Sequence, residues 1–131
     1  EMLLVCLSAA LLAVAVDAKP QNVTVKGQTI CNTKYFNGAT IILMEKDTTS
    51  PDDTLATVTS SNKGTFSVYG TEDEVFSISP YVLIKHDCDA KPGKVRVQRY
   101  EVPAGKIGGV YDMSLVPLNQ FVSGEYEEKK N

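Results

Sequence analysis

Residues 81–88 have the sequence Tyr-Val-Leu-Ile-Lys-His-Asp-Cys, and this stretch decides the fold class. Val82, Ile84, His86 and Cys88 occupy alternate positions in it. Because alternate side chains of an extended chain point the same way, these four residues share one face. An alternation of this kind predicts a β-strand with one buried face. The stretch therefore predicts a strand that carries a histidine and a cysteine toward the core.

The same period of two continues along the chain, and turn residues interrupt it about every eight to twelve positions. This spacing is typical of a β-sandwich or barrel and not of helices that alternate with strands. We predict an all-β sandwich of two sheets with seven to eight strands. The predicted strands are residues 22–31, 39–46, 55–59, 65–69, 81–88, 94–102 and 110–118, with an acidic, irregular segment over 70–79.

Residues 1–18 have the composition of a secretory signal peptide. Met2–Val16 carries no charge, and the small residue Ala18 precedes a polar sequence that begins at Lys19. The apolar run is shorter than the about 20 residues that a membrane-spanning helix needs. A buried helix or a membrane anchor is the alternative. Because the chain begins with Glu1 and lacks a basic segment before the run, we expect a few further residues upstream.

Removal of residues 1–18 leaves a nearly neutral chain. The acidic count falls from 16 to 14 against 13 basic residues, which gives a net charge of about −1. This balance gives no electrostatic reason to bind nucleic acid and no strong one to bind an anionic membrane. The remaining length suits one domain, predicted over residues 19–122. The charged residues 123–131 show no partner pattern, so we predict a disordered tail.

Cys31 and Cys88 are the two cysteines that remain once Cys6 leaves with the signal peptide. An even number in an oxidising compartment predicts a disulfide, which would stabilise the fold by about 4 kcal/mol in the chain-entropy model. Two free thiols or half of a metal site are the alternatives, although a zinc site here would need carboxylates. Asn22-Val23-Thr24 is an N-glycosylation sequon, so Asn22 is a candidate glycan site of a secreted, extracellular protein.

His86 is the only histidine of the chain. Its position in the strand alternation turns it toward the core, where a neighbouring hydroxyl or carbonyl would form a hydrogen bond with the imidazole. The alternative pairs it with Asp87 or a serine as a catalytic or pH-sensing group. Asp87 is unsuited to this because adjacent strand residues point to opposite faces. We therefore predict that the protein is not an enzyme.

Other candidate functional residues are acidic or aromatic. Asp47, Asp52 and Asp53 lack the spacing and the central glycine of a calcium loop, and the acidic run over 72–74 has no further pattern. We predict no metal site and no cofactor. Tyr35, Phe36 and His86 are candidate binding residues, since Tyr35 and Phe36 adjoin the Asn37-Gly38 turn and exposed aromatics can anchor a partner. Packing of both aromatics under the loop is the alternative.

Short motifs follow one another in a characteristic order between residues 22 and 118. They are Val-Thr-Val-Lys-Gly-Gln-Thr-Ile-Cys-Asn (23–32), Glu-Lys-Asp-Thr (45–48), Pro-Asp-Asp-Thr-Leu (51–55), Asn-Lys-Gly-Thr-Phe (62–66), Pro-Tyr (80–81) and His-Asp-Cys (86–88). In this order they resemble the transthyretin-like family of nematode secreted proteins. The resemblance implies a transthyretin-like (immunoglobulin-like) sandwich, secretion, and an extracellular binding or bridging role.

The chain departs from the family and from its hydrolytic relatives. Family members often carry a second cysteine pair, but residues 90–95 and 124–131 contain no cysteine. The hydrolytic relatives of transthyretin use several histidines and arginines and end in Tyr-Arg-Gly-Ser, whereas this chain has one histidine and a different ending. Ring-opening hydrolase chemistry is therefore not supported.

These observations favour a non-catalytic binding or bridging module that recognises an extracellular protein or a cell-surface lipid. The alternative is a carrier of a small apolar ligand in a transthyretin-like dimer or tetramer channel. Residues 39–46 are apolar on both faces, which favours the carrier if the second face is exposed in the monomer. The sequence does not give the oligomeric state.

Overall fold

The computed structural model describes residues 19–74 and 77–131, and the predicted signal peptide lies outside these residues. The described residues form nine strands and one short 3-10 turn at Ala104–Lys106. The strands are β1 (Lys19–Cys31), β2 (Lys34–Tyr35), β3 (Thr40–Glu45), β4 (Asp53–Thr59), β5 (Thr65–Glu74), β6 (Pro80–His86), β7 (Lys94–Glu101), β8 (Val110–Pro117) and β9 (Tyr126–Lys129). No helix in the described ranges is long and apolar enough to cross a membrane.

The strands form two sheets, which confirms the predicted all-β sandwich. In the four-stranded sheet, β1 pairs antiparallel with β2 and β5 and parallel with β8. The five-stranded sheet has the antiparallel order β4-β3-β6-β7-β9. The described strands number nine and not seven to eight, because β2 and β9 have too few apolar residues to give a pattern.

The core consists of the side chains that alternate inward from both sheets, as the sequence pattern predicts. Gly27 lies in the inward phase of β1, and a Cβ there would meet the Phe66 ring at 2.9 Å. Glycine at this position therefore makes room for Phe66 in the core. The fully buried aliphatic residues of this core are Val23, Val25, Ala39, Ile41, Leu43, Val68, Val82, Ile84 and Leu118.

β7 buries polar residues on its core-facing side. Its register places Gln98 opposite Ile84 and Tyr100 opposite Val82, so Arg96, Gln98 and Tyr100 have the same phase as these core residues. Arg96 and Gln98 are buried. The valines of β7 point to the other face of the sheet. Alternation alone could not assign the two faces of this strand.

The predicted disorder of residues 123–131 is wrong, because Tyr126–Lys129 pairs with residues 94–97 of β7 as strand β9. The tail is charged because its side chains bind charges on the neighbouring strands and loops. Lys85 Nζ lies 3.1 Å from Glu128, and Lys130 Nζ lies 2.8 Å from Asp87. The folded domain thus extends through Lys129, beyond the predicted boundary at residue 122.

The predicted irregular segment over 70–79 is also more regular than expected. β5 continues to Glu74, and its last residues pair with Lys19–Asn22 at the start of β1. Acidic residues of low strand propensity are held here by backbone hydrogen bonds to a long neighbouring strand. This extension carries Glu72 toward the β3–β4 pair of the other sheet.

Candidate functional site

Cys31 and Cys88 form a disulfide, which confirms the predicted pairing, with Cα atoms 5.9 Å apart. Cys31 ends β1 in one sheet, and Cys88 lies in the turn after β6 in the other. The bond therefore links the two sheets. Asp89 lies close enough to both sulfurs for a shared ligand, but bonded sulfurs are not thiolates, so the half-metal-site alternative fails.

His86 is buried, with 3% of its surface exposed, and both of its ring nitrogens have partners. The Cys88 amide donates to Nδ1 at 3.1 Å, so Nδ1 accepts and the proton resides on Nε2. Nε2 then donates to Gln98 Oε1 at 2.8 Å. Burial lowers the pKa of His86, which keeps the imidazole neutral. The prediction of a core histidine satisfied by a carbonyl-type oxygen is confirmed.

The alternative pairing of His86 with Asp87 does not occur. Asp87 is exposed and accepts a hydrogen bond from Lys130 Nζ at 2.8 Å. Phe36 contacts His86 instead, edge to face, with ring centroids 6.0 Å apart. A general base needs an available nitrogen lone pair. The lone pair on Nδ1 already accepts the Cys88 amide.

An ion pair between Arg96 and Glu125 lies beside His86, and no motif of the sequence predicts it. Arg96 Nε donates to Glu125 Oε2 at 2.9 Å, and Nη2 donates to Oε1 at 3.0 Å. The two side chains are about nine-tenths buried. The paired guanidinium lowers the pKa of Glu125 to about 2. Bidentate geometry of this kind makes the pair directional as well as strong.

Gln98 connects the ion pair to His86. Its Nε2 donates to Glu125 Oε1 at 3.0 Å and to the Gln120 carbonyl at 3.0 Å, while its Oε1 accepts from His86. Arg96 Nη1 donates to the carbonyls of Cys88 and Leu118, both at 3.0 Å. We call His86, Arg96, Gln98 and Glu125 the polar clasp. It binds the disulfide turn and the chain after β8 to strand β7, which is a structural role.

A groove of about 380 Å³ lies beside the polar clasp and brings together two of the predicted binding residues. Phe36 and His86 both line it, and Phe36 is half-buried. Tyr35 is 55% exposed and is not among the lining residues, because it pairs with Ile30, which has the outward phase of β1. The rest of the groove surface is polar and of mixed charge, lined by Asn37, Gly38, Thr40, Lys85, Asp87, Val95, Glu128, Lys129, Lys130 and Asn131.

The outer face of the five-stranded sheet combines apolar and charged residues. Ile42 and Met44 are half-buried there, and Leu83 is paired with Ile42. Leu83 is flanked on its other side by Arg99, whose guanidinium stacks on the Tyr81 ring at 3.6 Å from the centroid. The apolar second face of β3 predicted from the sequence is therefore present, but a cation lies beside it.

A third feature is a group of carboxylates at the β3–β4 edge, where the sequence shows no metal-ligand pattern. Glu45 and Asp53 are direct neighbours in the β3–β4 register, and Glu72 approaches from β5 of the other sheet. One oxygen from each lies within 4.8 Å of the others. Burial raises the pKa of Glu45, and the hydrogen bond with Asp53 raises the pKa of Glu72. We call these three residues the carboxylate cluster.

The other two acidic residues of that loop stabilise the loop itself. Asp47 Oδ1 accepts the Thr49 amide at 3.0 Å, and Asp52 Oδ1 accepts the Asp47 amide at 3.0 Å. The Tyr81 hydroxyl donates to the other oxygen of Asp52. Asp47 and Asp52 thus hold the turn that delivers Asp53 to the carboxylate cluster.

Asn22 lies within β1, opposite Thr71 of β5. Its carbonyl oxygen accepts the Gly108 amide at 2.6 Å, and the residue is half-exposed. Glycosylation at Asn22 stays a prediction.

The fold and the clasp define a class of protein: a disulfide-linked β-sandwich with one parallel strand pair. The sequence profile of the transthyretin-like family matches residues 26–103. Transthyretin-like protein 16 of the nematode Caenorhabditis elegans is 50% identical over 96% of each chain. Transthyretin-like protein 5 of the same organism is 30% identical over 95% of this chain and 94% of its own. The chain therefore belongs to the transthyretin-like family, as the motifs predict.

A solved structure also shows partial similarity. Part of a 9R-lipoxygenase from Cyanothece PCC8801 aligns with a TM-score of 0.45 at 15% identity. The alignment covers 75% of this chain and 16% of that chain. Similarity at this level carries no argument about activity.

Proposed function

We propose that this protein is a secreted, non-catalytic module that binds an extracellular protein through the groove beside the polar clasp. The observation that supports this most is that Phe36 lines a groove of mixed charge and is preceded in the chain by the exposed Tyr35. Aromatic side chains surrounded by polar groups are enriched in protein interfaces. Lys85 and Lys130 there are already paired with Glu128 and Asp87, which favours a protein surface over an anionic lipid headgroup.

The polar clasp supports the non-catalytic part of the proposal. Catalysis needs a nucleophile or a base whose reacting atom can reach a substrate. His86 uses both ring nitrogens inside the protein, and Glu125 uses both oxygens on Arg96. Side chains whose polar atoms are all hydrogen-bonded within the protein stabilise the fold and have no free atom for a reaction.

Photo-crosslinking at two matched tyrosines tests the proposed surface. Tyr35 is 55% exposed and directly precedes the groove residue Phe36, whereas Tyr69 is 58% exposed in β5 of the same sheet and does not line the groove. A photoreactive residue at position 35 should give a discrete protein adduct on nematode cells, and the same residue at position 69 should not. Equal adducts from both positions would refute the groove, and binding only to phosphatidylserine vesicles would favour a lipid.

The carrier of a small apolar ligand is a second candidate, supported by the half-buried Ile42 and Met44 on the outer face of β3. A channel between subunits requires a dimer or a tetramer. Light scattering on the oxidised protein distinguishes the candidates, since a monomer at micromolar concentration would contradict the carrier and leave the protein-binding module intact.

A further inference from the structure

The carboxylate cluster contains a buried charge without a partner. Glu45 is only 4% exposed, and its Oε2 has no hydrogen-bond partner among the described residues. Its Oε1 receives one long contact, 3.5 Å from the Ser79 amide. A buried carboxylate normally gains hydrogen bonds or a countercharge, because loss of hydration otherwise disfavours its charged form.

No cation among residues 19–74 and 77–131 forms an ion pair with the Glu45 carboxylate. The ion pairs found in the described ranges involve Glu101, Glu125, Glu127, Glu128 and Asp87. None includes Glu45, Asp53 or Glu72. Three carboxylates from two sheets therefore converge, with the innermost one lacking a partner, which is the arrangement that a bound cation would explain.

We propose that Glu45, Asp53 and Glu72 bind a calcium ion at the edge where the two sheets meet. The three ligands are oxygens, and none of them is nitrogen or sulfur, which selects a hard cation. Calcium–oxygen distances of about 2.3–2.6 Å allow two ligands to stand up to about 5 Å apart. A separation within 4.8 Å therefore suits calcium. Magnesium dehydrates reluctantly and is seldom held by a set of three protein carboxylates, which favours calcium.

The site has an approach from solvent. A pocket of about 240 Å³ reaches Glu45, and its other lining residues are Lys46, Asp47, Thr48, Glu74, Ser77 and Ser79. The carboxylates of Asp47 and Glu74 outnumber the single cation Lys46, so the pocket keeps a negative balance that would attract a cation. The pocket also admits the water molecules that complete a calcium shell of six to eight ligands. The proposed affinity, a Kd of about 10⁻⁴–10⁻³ M, is the range of extracellular modules. The affinity range assumes the proposed secretion, whereas the site itself does not depend on it.

Calorimetric titration of the chelator-treated, full-length oxidised protein with calcium chloride tests the site. We expect one ion per chain and a Tm higher by about 4–10 °C at 10 mM calcium. Glu72→Gln and Asp53→Asn should each weaken binding at least about tenfold, since each removes one of three charged ligands. Asp73→Asn, at the exposed neighbour of Glu72 outside the cluster, should bind like the wild type.

Glu45→Gln should abolish calcium binding. If the Glu45→Gln variant fails to fold, the variants at the more exposed Asp53 and Glu72 still test the site. A wild type with neither heat nor Tm change up to 10 mM calcium would overturn the proposal. Equal binding by wild type, Glu72→Gln and Asp53→Asn would overturn it as well. Neither result would affect the crosslinking test at Tyr35.

Discussion

The polar clasp and the carboxylate cluster both bury charge, but only the clasp supplies it with partners. Glu125 meets the guanidinium of Arg96 through both oxygens and also accepts from Gln98 and the Val122 amide. Glu45 has one long contact on one oxygen and none on the other. A buried acid that is fully hydrogen-bonded is part of the scaffold, whereas one without partners indicates a place for a ligand.

Their pKa directions express the same difference. Arg96 lowers the pKa of Glu125 to about 2, so its charged form is the stable one inside the protein. Burial raises the pKa of Glu45, which has no comparable partner. The pKa shifts of these two glutamates thus have opposite signs, because Glu125 has a countercharge and Glu45 has none.

Arg96→Ala should have the largest effect, because it leaves Glu125 buried without its countercharge. We expect the free energy of unfolding to fall by about 3–5 kcal/mol, measured by urea denaturation at pH 7. Lys130→Ala is the control, since it breaks an exposed pair with Asp87 and should cost less than about 1 kcal/mol. Similar losses in the two variants would show that the clasp contributes no more than a surface pair.

The second largest effect should come from acid, which weakens the polar clasp. The pKa of Glu125 is lowered from 4.5 to about 2, so its stabilisation is present above about pH 4.5 and is lost as the pH falls toward 2. The loss amounts to about 3 kcal/mol. Stability curves of wild type and Glu125→Gln between pH 6 and 2 measure it, and the variant should be less stable at pH 6 and converge with wild type near pH 2. Parallel curves would contradict a lowered pKa.

The two clusters also differ in how far the sequence predicts them. The alternation over 81–88 predicted a core-facing His86 and a disulfide cysteine, because a buried strand imposes its period on its own residues. In β7 the same rule left the inward face undecided. Valine favours burial, yet Arg96 is turned inward because Glu125 meets it from 29 residues further along the chain. The sequence holds one indication of this inward orientation: Arg96 has no acidic partner within its own strand.

The carboxylate cluster was hidden for a similar reason. Asp53 and the acidic run over 72–74 look like separate solvated charges, and Glu45 ends an apolar strand. Their convergence depends on the β3–β4 register and on the continuation of β5 beyond Gly70. Tertiary register is not encoded in any local pattern, so the metal-ligand spacing rules could not find this group.

Glu45→Gln should have the smallest effect on stability, with a sign that depends on calcium. Glutamine keeps the shape and the acceptor for the Ser79 amide but removes the unpartnered charge. In chelator we therefore expect the variant to be more stable than wild type by about 1 kcal/mol, while Asp73→Asn changes little. In 10 mM calcium the order should reverse, because only the wild type gains the bound ion. A variant less stable than wild type in both conditions would mean that the Glu45 carboxylate is already satisfied within the protein, which would remove the contrast between the two clusters.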